Sequence, residues 1–228
     1  ARDLPLLVPA GCIEYHGPHM ALGNDTLMAE ELCKRIAERM DVVIAPSFDY
    51  GATGYAVSGP DKGTMDIDNT AFEAYVKSVL RAFLDLGFKH IAVIIHHQGM
   101  DGPLALAFRK AAAELSFERP REQYGLGWWG SMPPEIVGDA FGHIRVGPTL
   151  LPAAQRVAGG DHAGFYETSY LLAARPDLVE MARLEKEDLP WFCTRPANPS
   201  AKGSAEQGER MFAAMVDAWE AELRAWCG

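Results

Sequence analysis

Hydrophobic residues fall into short continuous runs that alternate with longer, periodic segments. The clearest run is 90–95, a nearly unbroken series of β-branched residues that is typical of a strand buried on both faces of a sheet. Leu6-Leu7-Val8 and residues 42–45 form two further short runs. Strands separated by helical segments predict an α/β fold of three layers, α/β/α, with a mostly parallel sheet.

The periodic segments place apolar residues three and four positions apart, which predicts amphipathic helices. The predicted helices cover residues 26–40, 68–86, 102–115, 168–174 and 205–226. Asn24 or Asp25 is placed to cap the first helix, whereas Asp68 is placed to cap the second and Gly87 to end it. Residues 117–160 are predicted to be irregular.

The organisation of the chain points to one domain. No repeat, low-complexity tract or convincing linker divides residues 1–228, so we predict a single domain. The loop 46–63 is rich in Gly, Ser, Asp and Pro. Because it is longer than an ordinary connection, we expect it to line a site.

Composition and charge narrow the classes of function. Hydrophobic residues make up 48% of the chain, yet no apolar window is long enough to predict a membrane span. The formal net charge is -10 and no basic run is present, which argues against nucleic acid as a partner. The four cysteines form no CxxC pair and no signal peptide opens the chain, so we predict a cytoplasmic protein.

Three segments rich in metal-type donors follow predicted strands or open helices. They are Glu14-Tyr15-His16 with Asp25 nine residues after His16, then His96-His97, then residues 161–167. Taken singly, these residues fit a loop ion pair or a helix cap. However, five of the seven histidines fall into the three segments: His16, His19, His96, His97 and His162.

This donor set has a chemical meaning. Ligands of open α/β sheets collect at the carboxyl ends of the strands, where these segments lie. Mixed carboxylate and imidazole donors suit zinc, manganese or cobalt. A carboxylate that bridges two such ions would help to activate a water as hydroxide and to polarise a carbonyl group.

The segment 9–19, PAGCIEYHGPH, followed by Gly23-Asn24-Asp25-Thr26, resembles the signature of the creatininase (creatinine amidohydrolase) family, roughly PxGSxEQHGPHLPxxTD. The resemblance continues through the strand ending in His97 and through HAGxxET at 162–168. It implies a metal-dependent hydrolase with a Rossmann-like core and two divalent ions, zinc or manganese, with iron or cobalt as alternatives. It also implies a small-molecule substrate and a homo-oligomer, often a hexamer.

The resemblance assigns roles to individual residues. The family's metal positions fall on Glu14, His16, Asp25 and His97, with Asp25 as the bridging carboxylate. Glu167 is the candidate for the remaining ligand. His162 matches a histidine that acts near the scissile bond as acid, base or oxyanion partner, so His162 and Glu167 are the candidate catalytic residues. His19 is interpreted as structural or as a neighbour of the ligands.

The chain departs from the family pattern at one motif. Relatives usually read NGHGGN, whereas residues 95–100 read Ile-His-His-Gln-Gly-Met. Gly99 stands where creatininase proper carries a glutamate, which argues against creatinine as the substrate. We expect His96 and Gln98 to reshape the pocket or the groups around the ions.

The leading hypothesis is that metal-bound hydroxide opens an amide C–N bond in a small, cyclic, polar substrate. Two alternatives stay open. One is C–C bond hydrolysis of a cyclic diketone such as a keto-inositol of the 3-dehydro-scyllo-inosose type, and the other is a metal-stabilised binding protein without turnover.

Two further motifs are interpreted as having no catalytic role. An NAD(P) enzyme would rest on GLGWWG at 125–130, but no strand is predicted before this motif, and Trp128 and Trp129 would obstruct a dinucleotide phosphate. Cys12 is interpreted as a packed residue rather than a nucleophile.

Overall fold

The computed structural model describes residues 3–136, 141–185 and 188–227. Within these residues a four-stranded sheet forms the middle layer, with strand order β2-β1-β3-β4 and every pairing parallel. The strands are β1 (Leu6–Ala10), β2 (Val43–Ile44), β3 (Ile91–Ile95) and β4 (Ile144–Pro148). The prediction of a mostly parallel sheet is therefore confirmed.

Helices cover both faces of this sheet. They are α1 (Asn24–Ala37), α2 (Asn69–Asp85), α3 (Pro103–Tyr124), α4 (Trp128–Ser131), α5 (Phe165–Ala174) and α6 (Ala205–Cys227). Successive residues of β1 face opposite sides: Leu6 and Val8 share a core with α2 and α3, whereas Leu7 shares one with α1, α5 and α6. The three-layer α/β/α arrangement is thus confirmed.

The start of α1 differs from the prediction. Neither Asn24 nor Asp25 caps the helix, because the helix begins at Asn24 and Gly23 occupies the cap position. Both side chains are buried in the first turn, and the Asp25 carboxylate faces histidines instead of the helix backbone. At α2, by contrast, the Asp68 carboxylate accepts a hydrogen bond from the Ala71 N–H at 3.0 Å, as a cap should.

The prediction that residues 117–160 are irregular is wrong at three elements of the described chain, of which the short helix α4 is one; the other two are larger. First, α3 continues to Tyr124, with Pro120 inside the helix. Ion pairs to α2 stabilise this extension: Glu118 accepts from both Lys77 and Arg81. Second, β4 adds an edge strand, where Gly147 and Pro148 weaken the sequence signal.

The order of the strands determines where a ligand site forms. The chain runs from β1 to β2 on one side and then returns to β3 on the other side of β1. The carboxyl ends of β1 and β3 are therefore adjacent at the point where the strand order reverses, which is where open α/β sheets bind ligands. Among the helices described, none combines the length and the apolar character needed to cross a membrane.

Candidate metal centre

Backbone packing at Gly11 brings the first two donor segments together. A Cβ atom at Gly11 would lie 2.3 Å from the backbone N of Thr26, so only glycine allows α1 to pack this closely on the end of β1. As a result, Glu14 and His16, which follow β1, lie beside Asp25 in the first turn of α1. All three residues are buried.

Asp25 lies between two imidazoles. Its Oδ1 atom is 3.1 Å from His16 Nε2, and its Oδ2 atom is 2.8 Å from His97 Nδ1. The Cys12 thiol donates to Oδ2 at 3.1 Å. The two oxygens of one carboxylate, which is only 1% exposed, thus face different groups of donors.

In each group, one pair of donors has the spacing of two ligands around one ion. On the Oδ2 side, His97 Nδ1 lies 3.5 Å from Glu14 Oε2. On the Oδ1 side, His16 Nε2 lies 3.4 Å from Glu167 Oε2. Two ligands at zinc distances and tetrahedral angles are about 3.3 Å apart, so both separations fit one ion between each pair.

The hydrogen-bonding state of the buried donors also fits a metal. His16 Nδ1 lies 3.0 Å from the Glu14 carbonyl oxygen, which only accepts, so Nδ1 donates and Nε2 remains directed at the carboxylates. Buried atoms of this region without a hydrogen-bond partner among the described residues include Glu14 Oε1 and His16 Nε2. Buried polar atoms without partners are costly, and a cation would satisfy such atoms.

The electrostatics of the cluster point the same way. Burial raises the pKa of the Glu14 carboxyl to about 7, although His97 nearby lowers it. Burial lowers the pKa of His16, but the carboxylates of Asp25 and Glu167 outweigh burial and raise it to about 10. The buried carboxylates therefore require positive charge beside them, and a divalent cation supplies such charge.

His162 borders this cluster without joining the Asp25 carboxylate. Its Nε2 atom lies 2.9 Å from the Tyr15 carbonyl oxygen, so Nε2 donates and the neutral ring keeps a lone pair on Nδ1. Nδ1 lies 3.7 Å from Glu14 Oε2. Burial and the adjacent His16 lower the pKa of His162, which favours the neutral form with a basic Nδ1.

A cavity of about 230 Å³ opens onto these groups. Its lining combines the titratable cluster with residues of two loops: Glu14, His16, Asp25, Ala56, Val57, His97, Gln98, Asp161, His162 and Glu167. Ala56 and Val57 come from the loop 46–63, in line with the prediction that this loop lines a site. Gln98 donates its side-chain amide to the Thr53 carbonyl oxygen at 3.1 Å, which ties that loop to the end of β3.

His19 and the segment 125–130, both noted in the sequence, do not line this cavity. His19 contacts Thr168 Oγ1 through Nε2 at 2.9 Å, so it joins the loop after β1 to α5. Helix α3 rather than a strand precedes the segment 125–130. Trp128 packs on Phe117, and Trp129 is 62% exposed, which does not fit a dinucleotide site.

The family model for creatininase, described as creatinine amidohydrolase, matches residues 1–223. The chain belongs to the creatininase family. The resemblance noted in the segment 9–26 is therefore confirmed and extends across nearly the whole sequence.

Curated creatininase relatives carry three different names. Creatinine amidohydrolase from Pseudomonas putida is 27% identical over 195 residues, which cover 81% of this chain and 69% of that protein. A 3-dehydro-scyllo-inosose hydrolase from Thermotoga maritima is 26% identical over 76% of this chain and 51% of that protein. A mycofactocin precursor peptide peptidase from Mycolicibacterium smegmatis is 28% identical over 97% of this chain and 85% of that protein.

Solved creatininase structures share the fold. A creatininase variant described as the Zn-Zn type superposes with a TM-score of 0.72 at 22% identity, covering 98% of this chain and 90% of that one. The manganese form of creatininase gives a TM-score of 0.71 at 23% identity, covering 98% of this chain and 91% of that one.

Asp161 belongs to the third donor-rich segment of the sequence, but sequence reasoning assigned it no individual role. The Asp161 carboxylate accepts hydrogen bonds from the backbone N–H groups of Tyr166 and Glu167, at 3.1 and 3.2 Å, and so holds the first turn of α5 in place. Helix α5 begins at Phe165, three residues earlier than predicted, which places Glu167 in this turn. A helix predicted to start at residue 168 gave no reason to assign Asp161 a capping role.

Proposed function

We propose that this chain is a dinuclear metal-dependent hydrolase. The observation that carries the proposal is the Asp25 carboxylate, whose two oxygens face two separate pairs of donors. Asp25 would bridge the two ions, with Glu14 and His97 on one side and His16 and Glu167 on the other. The mixed oxygen and nitrogen donors, and the Zn-Zn and manganese forms among the solved relatives, favour zinc or manganese.

The protein groups around the centre suit acyl-type hydrolysis. Two bound divalent ions lower the pKa of a water molecule and polarise a carbonyl group. His162 supplies a base: its Nε2–H is held by the Tyr15 carbonyl oxygen, so Nδ1 is free to accept a proton and to return it to the leaving group. Ala56 and Val57 supply an apolar part of the cavity wall.

The size of the cavity favours a small substrate. About 230 Å³ is below the volume of a typical drug-sized site, which suits one small ring better than an extended peptide. The reaction we propose is hydrolysis of an amide C–N bond in a small, cyclic, polar molecule. The name of the Pseudomonas putida relative describes such a reaction. Gly99 in place of the glutamate of creatininase proper argues against creatinine itself.

A second candidate is C–C bond hydrolysis of a cyclic diketone. The Thermotoga maritima relative, named 3-dehydro-scyllo-inosose hydrolase, is the observation that favours it. The same cluster would serve both reactions, because an activated water attacks a polarised carbonyl in each. The substrate, rather than the site residues, distinguishes the two candidates.

The test is a substrate screen with a matched variant. Cyclic amides and cyclic diketones are offered to the enzyme loaded with zinc or manganese and to the chelator-treated enzyme, and ring opening is followed by mass spectrometry. His162→Gln is the variant, because a glutamine amide reaches the position of Nε2 and keeps the bond to Tyr15 but provides no basic Nδ1. We expect this variant to retain its metal and to lose about 10²- to 10⁴-fold in kcat.

The outcomes separate the candidates. Ring opening of amides supports the proposal, and exclusive opening of diketones supports the second candidate. Tight ligand binding without turnover, unchanged in His162→Gln, would show that the protein is a metal-stabilised binding protein and would overturn both.

We also propose that the chain acts as a single domain in a homo-oligomer in the cytoplasm. This extension rests on the family resemblance and on the cysteine pattern rather than on contacts between chains. Light scattering after size-exclusion chromatography measures the number of subunits directly, and a monomer would contradict it.

A further inference from the structure

His96 lies beside the proposed ligands but is not among them. It directly follows β3, between Ile95 and His97, and its ring lies between Thr149, which follows β4, and Glu167 of α5. On one side, Nδ1 lies 2.7 Å from Thr149 Oγ1. On the other side, Nε2 lies 3.4 Å from Glu167 Oε1. The His96 side chain is only 12% exposed.

The contacts determine which nitrogen carries the proton. The Glu167 carboxylate is surrounded by donors: the Ala163 N–H bonds to Oε2 at 2.7 Å, and His16 approaches the same oxygen. Oε1 is the oxygen directed at His96. An ionised carboxylate only accepts, so Nε2 carries the hydrogen, Nδ1 accepts, and the Thr149 hydroxyl donates to it.

The polar contacts of His96 Nε2 are confined to one neighbour among the described residues. This atom is buried and makes no shorter hydrogen bond to any described residue, so the 3.4 Å contact with Glu167 Oε1 is the polar contact available to it. Thr149 directly follows β4, is 3% exposed, and donates its backbone N–H to the Ile95 carbonyl oxygen at 2.8 Å, so the anchor of the ring is fixed to the end of the sheet. His96 is thus built into the sheet on one side and directed at a carboxylate on the other.

We propose that His96 is a positioning residue, which holds Glu167 through Oε1 so that Oε2 stays directed at the ion shared with His16 and Asp25. This inference rests on the proposed metal centre. Fixing Glu167 in one rotamer costs conformational entropy. Because His96 is anchored to the end of the sheet, it fixes this rotamer before the ion binds, so ion binding does not have to offset the cost. Partners of this kind orient metal ligands, and their loss lowers metal affinity by about 10- to 100-fold.

Two substitutions of His96 separate its two nitrogens. Counted in bonds from Cβ, the amide of glutamine ends at the position of Nε2, whereas that of asparagine ends at the position of Nδ1. His96→Gln therefore keeps a donor for Glu167, and His96→Asn removes it while keeping a group for Thr149. Thr149→Val is the third variant, because it removes the hydroxyl donor without changing the volume of the side chain appreciably.

The measurement is a zinc titration of the metal-free proteins in competition with a chromophoric chelator, supported by the absorption spectrum after cobalt(II) substitution. We expect the wild type and His96→Gln to bind two equivalents with similar affinities. In His96→Asn we expect one equivalent to weaken by about 10- to 100-fold, with a changed spectrum for that ion only. The other equivalent should be unaffected, because Glu14 and His97 lie on the opposite side of Asp25. Thr149→Val should weaken the same equivalent by a smaller factor.

Three other results of the titration would each contradict part of this proposal. If the wild type binds no zinc, the proposed metal centre is wrong, and the role of His96 in directing Glu167 at an ion is overturned with it. If the wild type binds two ions and His96→Asn binds both as tightly, His96 has no positioning role. If His96→Gln loses the second ion as completely as His96→Asn, the imidazole is itself a ligand and the positioning role is wrong.

Discussion

Burial gives the Asp25 carboxylate its chemical character. In water this group would exchange partners freely, but here it is enclosed by His16, His97 and the Cys12 thiol. Burial raises the pKa of Asp25, yet the two histidines outweigh burial and hold it well below the ordinary value, so the carboxylate stays ionised. An ionised, buried carboxylate with both oxygens engaged is suited to bridge two cations.

Asp25→Asn tests this role. The amide keeps the shape of the side chain but removes the charge that both groups of donors share, so we expect both ions to be lost and activity to fall by at least about 100-fold. Metal content and kcat are the measurements. Asp66→Asn is the matched control, because Asp66 bonds to the backbone of Thr53 and Gly54 outside the cluster, and this variant should retain its metal. Equal metal content in the two variants would contradict the assignment of Asp25.

Gln98, next to the proposed ligand His97, has a strained backbone conformation. Its φ is +48°, a left-handed conformation in which a non-glycine residue costs about 1–3 kcal/mol. The family motif NGHGGN has glycine at this position, and a glutamine placed here in its stead needs a compensating interaction. The bond from the Gln98 amide to the Thr53 carbonyl oxygen provides one, because it holds the loop that contributes Ala56 and Val57 to the cavity.

We therefore expect Gln98→Gly to leave the free energy of unfolding within about 1 kcal/mol of the wild type, since relief of strain offsets the lost hydrogen bond. Amide hydrogen exchange of residues 52–58 should nevertheless become faster. Gln98→Asn is the control: asparagine tolerates the left-handed conformation but is too short to reach Thr53, so exchange should increase there as well. Unchanged exchange in both variants would show that the bond does not hold the loop.

At the scale of elements, the sequence predicted those parts whose signal is local. The run 90–95 predicted β3 because its β-branched residues are buried on both faces, and the Asp68 cap located the start of α2. The edge strand β4 was missed because Arg145, Gly147 and Pro148 belong to no apolar pattern; pairing with β3 forms this strand.

The candidate site was predictable to a similar extent. The family motif located Glu14, His16 and Asp25, which the fold brings together. The contacts of His96 and Asp161 depend on α5 and β4, which are distant in sequence, so no local pattern indicated them.

The contact between α5 and α6 shows how an element without site residues supports the centre. Gly208 in α6 lies against α5, and a Cβ atom there would be 2.0 Å from the Ser169 carbonyl oxygen and 2.7 Å from the Ala173 side chain. Helix α5 carries Glu167, so the distance between the two helices bears on the position of this proposed ligand.

Gly208→Ala is therefore expected to destabilise the protein by about 1–3 kcal/mol, although alanine is the better helix former. Thermal unfolding measures the effect. Gly130→Ala in α4 is the control: apart from its chain neighbours and its own helix backbone, no atom of the described residues lies within 4 Å of the added Cβ, so its unfolding temperature should change little. If Gly208→Ala is as stable as the wild type, α5 and α6 can move apart to accommodate the methyl group without lowering the free energy of unfolding, which would contradict this account.

At the scale of the whole molecule, the centre joins segments that are far apart in sequence. The loop after β1, the first turn of α1, the end of β3 and the first turn of α5 meet at the point where the strand order reverses. Bound ions would cross-link these segments in the folded state and have no equivalent site in the unfolded chain. Metal binding should consequently stabilise the entire fold.

Removal of the metal tests this coupling. An ion present at 100 times its Kd stabilises the folded state by about 2.7 kcal/mol. For a domain of this size that corresponds to a fall in Tm of about 5–11 °C on chelation. The shift should reverse when zinc or manganese is restored and should be absent in Asp25→Asn. A Tm that is indifferent to chelation in a protein shown to contain metal would contradict the coupling.

The most direct test of a dinuclear centre is the ratio of metal to chain, measured by elemental analysis of untagged protein purified without chelator. We predict a ratio near two for zinc, manganese or a mixture, because Asp25 directs its two oxygens at two separate pairs of donors. A ratio that stays near zero after dialysis against zinc and manganese would contradict the account, leaving the creatininase fold in place but removing the chemistry assigned to it.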